Sequence, residues 1–311
     1  MPYNNVISRT DAAALIPEDA SAEIWKHTVA ASAAMTLFRQ RRLSRNQQRV
    51  PVESVLPTAY FVAGEPGIKQ TTELNWTNKF LNVEELACIV PIPEAVLDDS
   101  AFDIWGEARP ALSEAIGRAL DAAVFFGINK PASWPTDIAA SAVAAGNTVT
   151  QGTATAANGG LAGDISALFG TVEADGYDVN GMIANRTYRG TLRNVRNSQG
   201  DKLPEVTTDQ AYGVPITYPM RGLWPTGAGS VQSIAGDFNA GILGIRQDIT
   251  FKVLDQAIIQ DNAGVIQYNL AQQDMVALRV VFRVAWQVAN PINYDQATEA
   301  SRFPFGVIKL P

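Results

Sequence analysis

The residue types that most often carry catalysis are scarce in this chain and poorly grouped. One cysteine, Cys88, and one histidine, His27, occur in 311 residues. Cys88 lies in the apolar run LACIV and reads as a small core residue rather than a nucleophile. A single cysteine also excludes an internal disulfide framework and any site built from several thiolates. His27 stands between Lys26 and Thr28, with no second histidine to complete a metal or acid–base arrangement. Glu84–Glu85 and Asp98–Asp99 are adjacent pairs, so in regular structure their side chains diverge. Asp98, Asp99 and Ser100 suit the capping of a following helix. Asp237, in AGDFN, is a possible metal ligand without partners, and a turn role fits it better. GAGS at 227–230 lacks the third glycine and the strand–helix frame of a dinucleotide loop, and neither GxSxG nor GxxxxGK[ST] occurs. The expectation is a protein without a catalytic centre, cofactor or metal.

Charge is patterned more clearly than chemistry. No acid occurs between Glu23 and Glu53, where Lys26, Arg39, Arg41, Arg42, Arg45 and Arg49 are found. Two readings stay open: a solvated helix end, where cations suit the macrodipole, or a surface facing a polyanion or an acidic neighbouring subunit. A second set, Arg186, Arg189, Arg193 and Arg196, is spaced along one helix and reads as a polar interface. The net charge of −7 opposes uniform non-specific binding to DNA.

These features need a scaffold, and the composition supplies one. Apolar residues make up 47% and charged residues 18%, enough for a sizeable core in two lobes or one elaborate domain. No apolar run approaches the roughly 18 residues of a membrane span. TVAASAAMTLF has acids before it and RQRRLSR after it, the wrong flanks for a secretion signal. A soluble, intracellularly made protein is expected.

Along the chain, residues 1–17 read as a loose arm. PEDASAEIWKHTVAASAAMTLF follows as an amphipathic helix with Trp25, Val29, Ala33 and Leu37 on one face. RVPVESV is a short strand. AGEPGIKQTTELNWTNK, 63–79, is a polar tongue between two apolar runs. VEELACIVPIPEAVLDDSAFDIW passes from a strand into a short helical piece punctuated by Pro91 and Pro93. PALSEAIGRALDAAVFFG predicts a helix over 110–126 with Pro110 at its first position, Leu112, Ile116, Leu120 and Val124 as the buried stripe, and Gly127 as the stop. Residues 128–163 read as a surface loop or weak strands. From 164 helices and strands alternate: DISALFGTVEADG and TYRGTLRNVRN helical, GMIANR, VPITYP and SVQSIAGDF extended, SQGDKLPEVTTDQAYG a loop. In VALRVVFRVAWQV every even position from Val276 to Val288 is apolar, while Arg279, Arg283 and Gln287 take odd ones. This predicts a strand of about 40 Å at roughly 3.3 Å per residue.

The ordered series AYFVAGEPGIKQTTELNWTNKFLNVEELACIVPIPEAVLDDS, FDIWGEARPALSEAIGRALDAAVFFG, NGMIANRTYRGTLRNVRNSQGDKL, GDFNAGILGIRQDITFKVLD and the strand 276–288 resembles the major capsid proteins of tailed bacteriophages over nearly the whole chain. The resemblance implies an α+β phage major capsid fold: a P-domain with a long spine helix and a long-stranded sheet, an E-loop hairpin, and a central mixed α/β A-domain. The implied segments are an N-terminal arm and helix at 1–38, the E-loop at 57–83, the A-domain at 164–270, and the P-domain at 39–56, 84–163 (spine helix 110–126) and 271–311. It further implies self-assembly into hexamers and pentamers of an icosahedral shell around double-stranded DNA, in a virion assembled in the host cytoplasm. The E-loop would lie on a neighbouring subunit, with Lys69, Leu74 and Trp76 as contacts. Arg39, Arg41, Arg42, Arg45 and Arg49 would face the lumen or a neighbour. The DNA would be held without sequence-specific binding, and no membrane is implied. Met1 and the short stretch before the first helix leave no room for a fused scaffolding segment, so a separate scaffolding protein and a portal are expected partners. Some relatives join subunits through an isopeptide assisted by a buried acid on the late strand. Here Lys69 is suitably placed, but Val280, Val281 and Phe282 stand where the acid would be, so no cross-link is expected. The alternative within the same fold is an encapsulin-like nanocompartment shell; the alternative outside it is a soluble α/β enzyme.

Overall fold

The computed structural model describes residues 32–62, 67–99, 103–196, 199–219, 222–261 and 263–311. Most of the expected first helix, with Trp25, His27 and Val29, lies outside them. Within them α1 (Ala33–Leu37) starts afresh at Ser32, whose extended backbone and hydroxyl, accepting from Met35 N–H at 3.2 Å, cap it. The expected single helix therefore does not run unbroken into Ala33 and Leu37. Next comes β1 (Arg39–Arg42), so Arg39, Arg41 and Arg42 stand on a strand and not at a helix end. A turn leads into β2 (Gln47–Val55), and the tongue returns as β3 (Asn75–Asn82). β4 (Glu84–Pro93) and α2 (Glu94–Asp99) follow.

The long helix α3 (Ile104–Phe126) begins earlier than its proline predicts. Asp103, not Asp98 or Asp99, caps it, its carboxylate accepting from Gly106 N–H at 2.9 Å. Asp98 and Asp99 are spent in the last turn of α2. Pro110 is the seventh helical residue, where it forfeits one backbone bond, to the Gly106 carbonyl. The predicted stripe of Leu112, Ile116, Leu120 and Val124 is buried. Each such side chain favours folding by about 1.5–3 kcal/mol. Gly127 stops the helix at φ +67°. Its N–H donates to Ala123 O at 3.2 Å and that of Ile128 to Ala122 O at 3.1 Å.

The stretch expected as loop or weak strands contains α4 (Ile138–Ala145), capped by Asp137 through Ala140 N–H at 2.9 Å. Alanine is the best helix former, and the Ala-rich sequence IAASAVAA needs few large apolar residues to pack closely. β5 (Thr148–Thr150) follows. The second half contains α5 (Leu161–Ala174), β6 (Gly181–Ala184), α6 (Tyr188–Arg193), β7 (Gln210–Ala211), β8 (Val214–Thr217), β9 (Val231–Gly236), β10 (Gly241–Leu254), β11 (Ile258–Gln260), β12 (Ile266–Asn269), β13 (Met275–Val288) and β14 (Phe305–Lys309).

Two sheets organise the molecule. The first has the order β1-β10-β13-β4, and β11 and β12 form a hairpin between β10 and β13. β10 and β13 run antiparallel from Gly241↔Val288 to Leu254↔Ala277, with bulges near Gln247. On β13, Leu278, Val280, Phe282, Val284 and Trp286 belong to one core with the α3 stripe. The odd face is not wholly polar, since Ala285 packs with Leu43 and Leu81. Pro91 and Pro93 are tolerated because β4 is an edge strand. The second sheet has the order β5-β14-β9-β6-β8-β7. α5 packs on it through Ile165, Leu168 and Phe169. Strand pairing therefore crosses the linear segments. β14, in the expected P-domain segment 271–311, sits inside the second sheet, while β10, in the expected A-domain segment 164–270, lies in the first. The two sheets share a core in which Phe38, Phe125, Phe238 and Phe305 pack at ring-centroid distances of 5.3–6.3 Å.

Candidate self-association surfaces

β2 and β3 make a two-stranded ribbon, in register from Gln47↔Asn82 to Glu53↔Trp76, with a bulge before Val55↔Asn75. Its root is anchored by buried Leu81 and Val52. Beyond residue 55 the limbs run out extended. They are tied to each other by Thr58 N–H to Thr72 Oγ1 at 2.8 Å and by the Tyr60 hydroxyl to the Gln70 carbonyl at 2.9 Å.

The ribbon brings Lys69, Leu74 and Trp76 onto one projection, and all three are exposed. The most exposed apolar groups on it are two that sequence reading missed. Phe61 is 105% exposed and Ile68 87%, against 60% for Trp76 and 40% for Leu74. The signal for Phe61 lay in the apolar TAYFV run beside the polar tongue; Ile68 is a lone apolar residue within the tongue. A ribbon of two strands is marginal alone, and this one holds large apolar groups in water.

The five arginines do not form one patch. Arg39, Arg41 and Arg42 lie on β1, an edge strand paired only with β10. Arg45 lies in the turn that follows, and Arg49 is on the ribbon opposite Phe80. All five are exposed. Arg42 reaches Asp248 at 2.8 Å, but both groups are solvated and the pair contributes little. A shallow cleft of about 350 Å³ is lined by Arg39, Gln40, Arg41 and Ile242. Among the described residues, β1 thus offers cations together with a sheet edge that no other strand pairs. The second basic set is partly engaged within the chain. Arg189 pairs with Asp209 at 3.0 Å and lies 4.6 Å from the Tyr218 ring centroid, and Arg196 donates to the carbonyls of Arg193 and Val195.

The acids have structural partners. Glu85 pairs with Arg283 at 2.7 Å. Asp237 caps a short turn through Asn239 N–H at 2.9 Å, the role its sequence predicts. Asp164 accepts from Gly152 N–H at 2.6 Å and Ala154 N–H at 2.8 Å. Asp121 on α3 is fully buried and accepts from Ser32 Oγ at 2.6 Å, Ala33 N–H at 2.8 Å and Ala34 N–H at 3.0 Å. Burial pushes its pKa up, and these hydrogen bonds pull it back only in part. Among the described residues no three His, Cys, Asp or Glu side chains gather as metal ligands, and no helix is long and apolar enough to cross a membrane. What the described residues leave exposed is a projecting ribbon and a charged sheet edge.

Known proteins share both the sequence and the architecture. A model of the phage capsid family matches residues 12–293. The major capsid protein of Staphylococcus phage 80alpha is 25% identical over 275 residues, 87% of this chain and 81% of that protein. A solved structure from Microbacterium phage Oxtober96 superposes with a TM-score of 0.86 at 39% identity, over 99% of this chain and 100% of that one. Another, from Mycobacterium phage Cain, gives 0.85 at 32% identity over 99% of each chain. With the ribbon, the long helix and the paired sheets in place, the match over most of its length settles the assignment: this chain belongs to the phage capsid family.

Proposed function

We propose that this major capsid protein self-assembles through hexamers and pentamers into the icosahedral shell around the double-stranded DNA of a tailed phage, each ribbon lying on a neighbouring copy. The observation that carries the ribbon's role is the exposure of Phe61, Ile68 and Trp76 on a projection that the described residues leave uncovered. Covering one such side chain favours association by about 1.5–3 kcal/mol, too little alone to hold two subunits. Several modest contacts add up once neighbours are engaged, because later ones form at high effective concentration. Early errors can therefore dissociate.

In this reading the role is mechanical, without chemistry on a substrate. Net charge of −7 keeps the shell from gripping its DNA tightly, which favours packaging and release. Arg39, Arg41, Arg42, Arg45 and Arg49 face the lumen or an acidic neighbour, and assembly uses a separate scaffolding protein and a portal. The test pairs Phe61→Ser and Trp76→Ala. Both variants should melt like the parent as dissociated subunits yet yield few particles by electron microscopy. Normal particle yield from the double variant would refute the ribbon's role. Reversal of Arg39 and Arg41 to Glu should reduce particles or their DNA content; particles with normal DNA would reject that assignment. Particles holding a protein cargo and no DNA would favour the nanocompartment.

A further inference from the structure

The segment that joins β13 to β14 touches both the ribbon and the second sheet, in different ways. At the ribbon, Ile292 N–H donates to the Glu53 carbonyl at 3.1 Å. The Tyr294 hydroxyl donates to the Pro57 carbonyl at 2.8 Å. Lys79 Nζ lies 3.1 Å from Glu299 Oε1. Tyr294 and Glu299 are both largely in water.

Between and beyond these contacts the same segment is tied into the interior. The buried Arg302 guanidinium donates to the carbonyls of Gln296 at 2.6 Å, Ala297 at 3.1 Å and Asn290 at 3.3 Å, and to Asn290 Oδ1 at 3.0 Å. The Tyr177 hydroxyl donates to that Oδ1 at 2.6 Å. Asp175, at the end of α5, accepts from Phe303 N–H at 3.0 Å and Asn147 Nδ2 at 2.7 Å, and its carbonyl accepts from Asn293 Nδ2 at 2.6 Å. Gly176, at φ +79°, lies so close that an added Cβ would be 2.7 Å from Asn293 Nδ2. Moving a buried guanidinium out of such a set leaves several polar groups unanswered, whereas an ion pair whose Glu299 side lies in water and an exposed phenol contact break more easily.

We propose that residues 290–303 form a bracket, closed on itself through Arg302 and fixed to the turn after α5 through Asp175 and Tyr177. Through Tyr294 and Glu299 it sets the resting angle of the ribbon, weakly enough for a neighbouring copy to reset it. Tyr294, Glu299 and Lys79 are then positioning residues for the ribbon. The meaning of this for assembly rests on the ribbon's proposed role; the bracket itself does not. It also explains why the ribbon root is well anchored while the contacts that would fix its tilt lie in solvent.

The test measures ribbon angle in the dissociated full-length chain. Spin labels at Lys69→Cys and Ala115→Cys, in a Cys88→Ser background, report the distance from tongue to long helix. The parent should give one narrow distribution. Lys79→Glu should raise the population outside it about two- to five-fold, the scale of an exposed pair, with Tyr294→Phe acting in the same direction. Lys79→Glu combined with Glu299→Lys should restore the narrow distribution, which a merely local loss of structure would not. Identical distributions in parent and Lys79→Glu, or no recovery in the swapped pair, would overturn the bracket even if shells form normally. Failure of the parent to form shells would instead count against the assembly reading.

Discussion

Removing the Asp121 carboxylate should loosen the start of the described chain from the long helix, by an amount set by its three donors. Asp121→Ala leaves the Ala33 and Ala34 N–H groups and the Ser32 hydroxyl without acceptors in a buried site. Three such losses at about 1–3 kcal/mol each set the upper bound. Relief of the buried charge, visible in its raised pKa, offsets part of that. The net cost should be about 2–4 kcal/mol. With about 2.1 cal/mol/K of unfolding entropy per residue over 311 residues, the dissociated subunit should melt about 3–6 °C lower. Asp121→Asn keeps one acceptor oxygen and carries no charge, so it should lie between parent and alanine variant. The pH dependence fixes the sign. Burial holds the folded pKa above the ordinary 3.8, so the folded state binds the proton more tightly than the unfolded chain. This group's stabilisation is full below 3.8 and is lost as pH rises through the folded pKa. The gap between parent and Asn variant should therefore widen on acidification toward 3.8. Scanning calorimetry of the three proteins across that range is the assay. An alanine variant melting within about 1 °C of the parent, or an Asn variant no better than alanine, would refute the reasoning.

Burial, opposed by nearby Arg302, holds the Tyr177 phenol up to about 12. The fold gains from the protonated phenol below pH 10 and loses that gain as pH rises through about 12. An absorbance titration should lose its step near 12 in Tyr177→Phe; an unchanged curve would contradict the assignment. Denaturing electrophoresis of mature particles should show a monomer band, because Val280, Val281 and Phe282 place buried hydrocarbon, not an acid, on the late strand. A ladder of linked subunits would overturn this.

Where the sequence declared itself, it did so through periodicity. The alternation from Val276 to Val288 announced β13, and the Leu112–Val124 stripe with Gly127 announced most of α3 and its stop. Its failures have physical causes. Pro110 reads as a start, but a helix can absorb one missing bond when Asp103 supplies a strong cap further back. α4 is built from alanines whose packing needs no large side chains, so its texture resembles a loop. β1 carries Arg-Gln-Arg-Arg and no buried side chain, and only its pairing with β10 makes it a strand. The ribbon was legible as a polar interruption, but Phe61 and Ile68 stood out only once the fold showed that none of the described residues covers them. The bracket was invisible, since Glu53, Lys79, Asp175, Tyr294 and Arg302 are far apart in sequence and meet only in space.

β14 is made after every other described strand, yet it lies between β5 and β9 in the interior of its sheet. A growing polypeptide therefore keeps a slot open, flanked by two unsatisfied edges, until residues 305–309 have left the ribosome. Chains still under synthesis would have an unfinished interior and poorly formed contact surfaces.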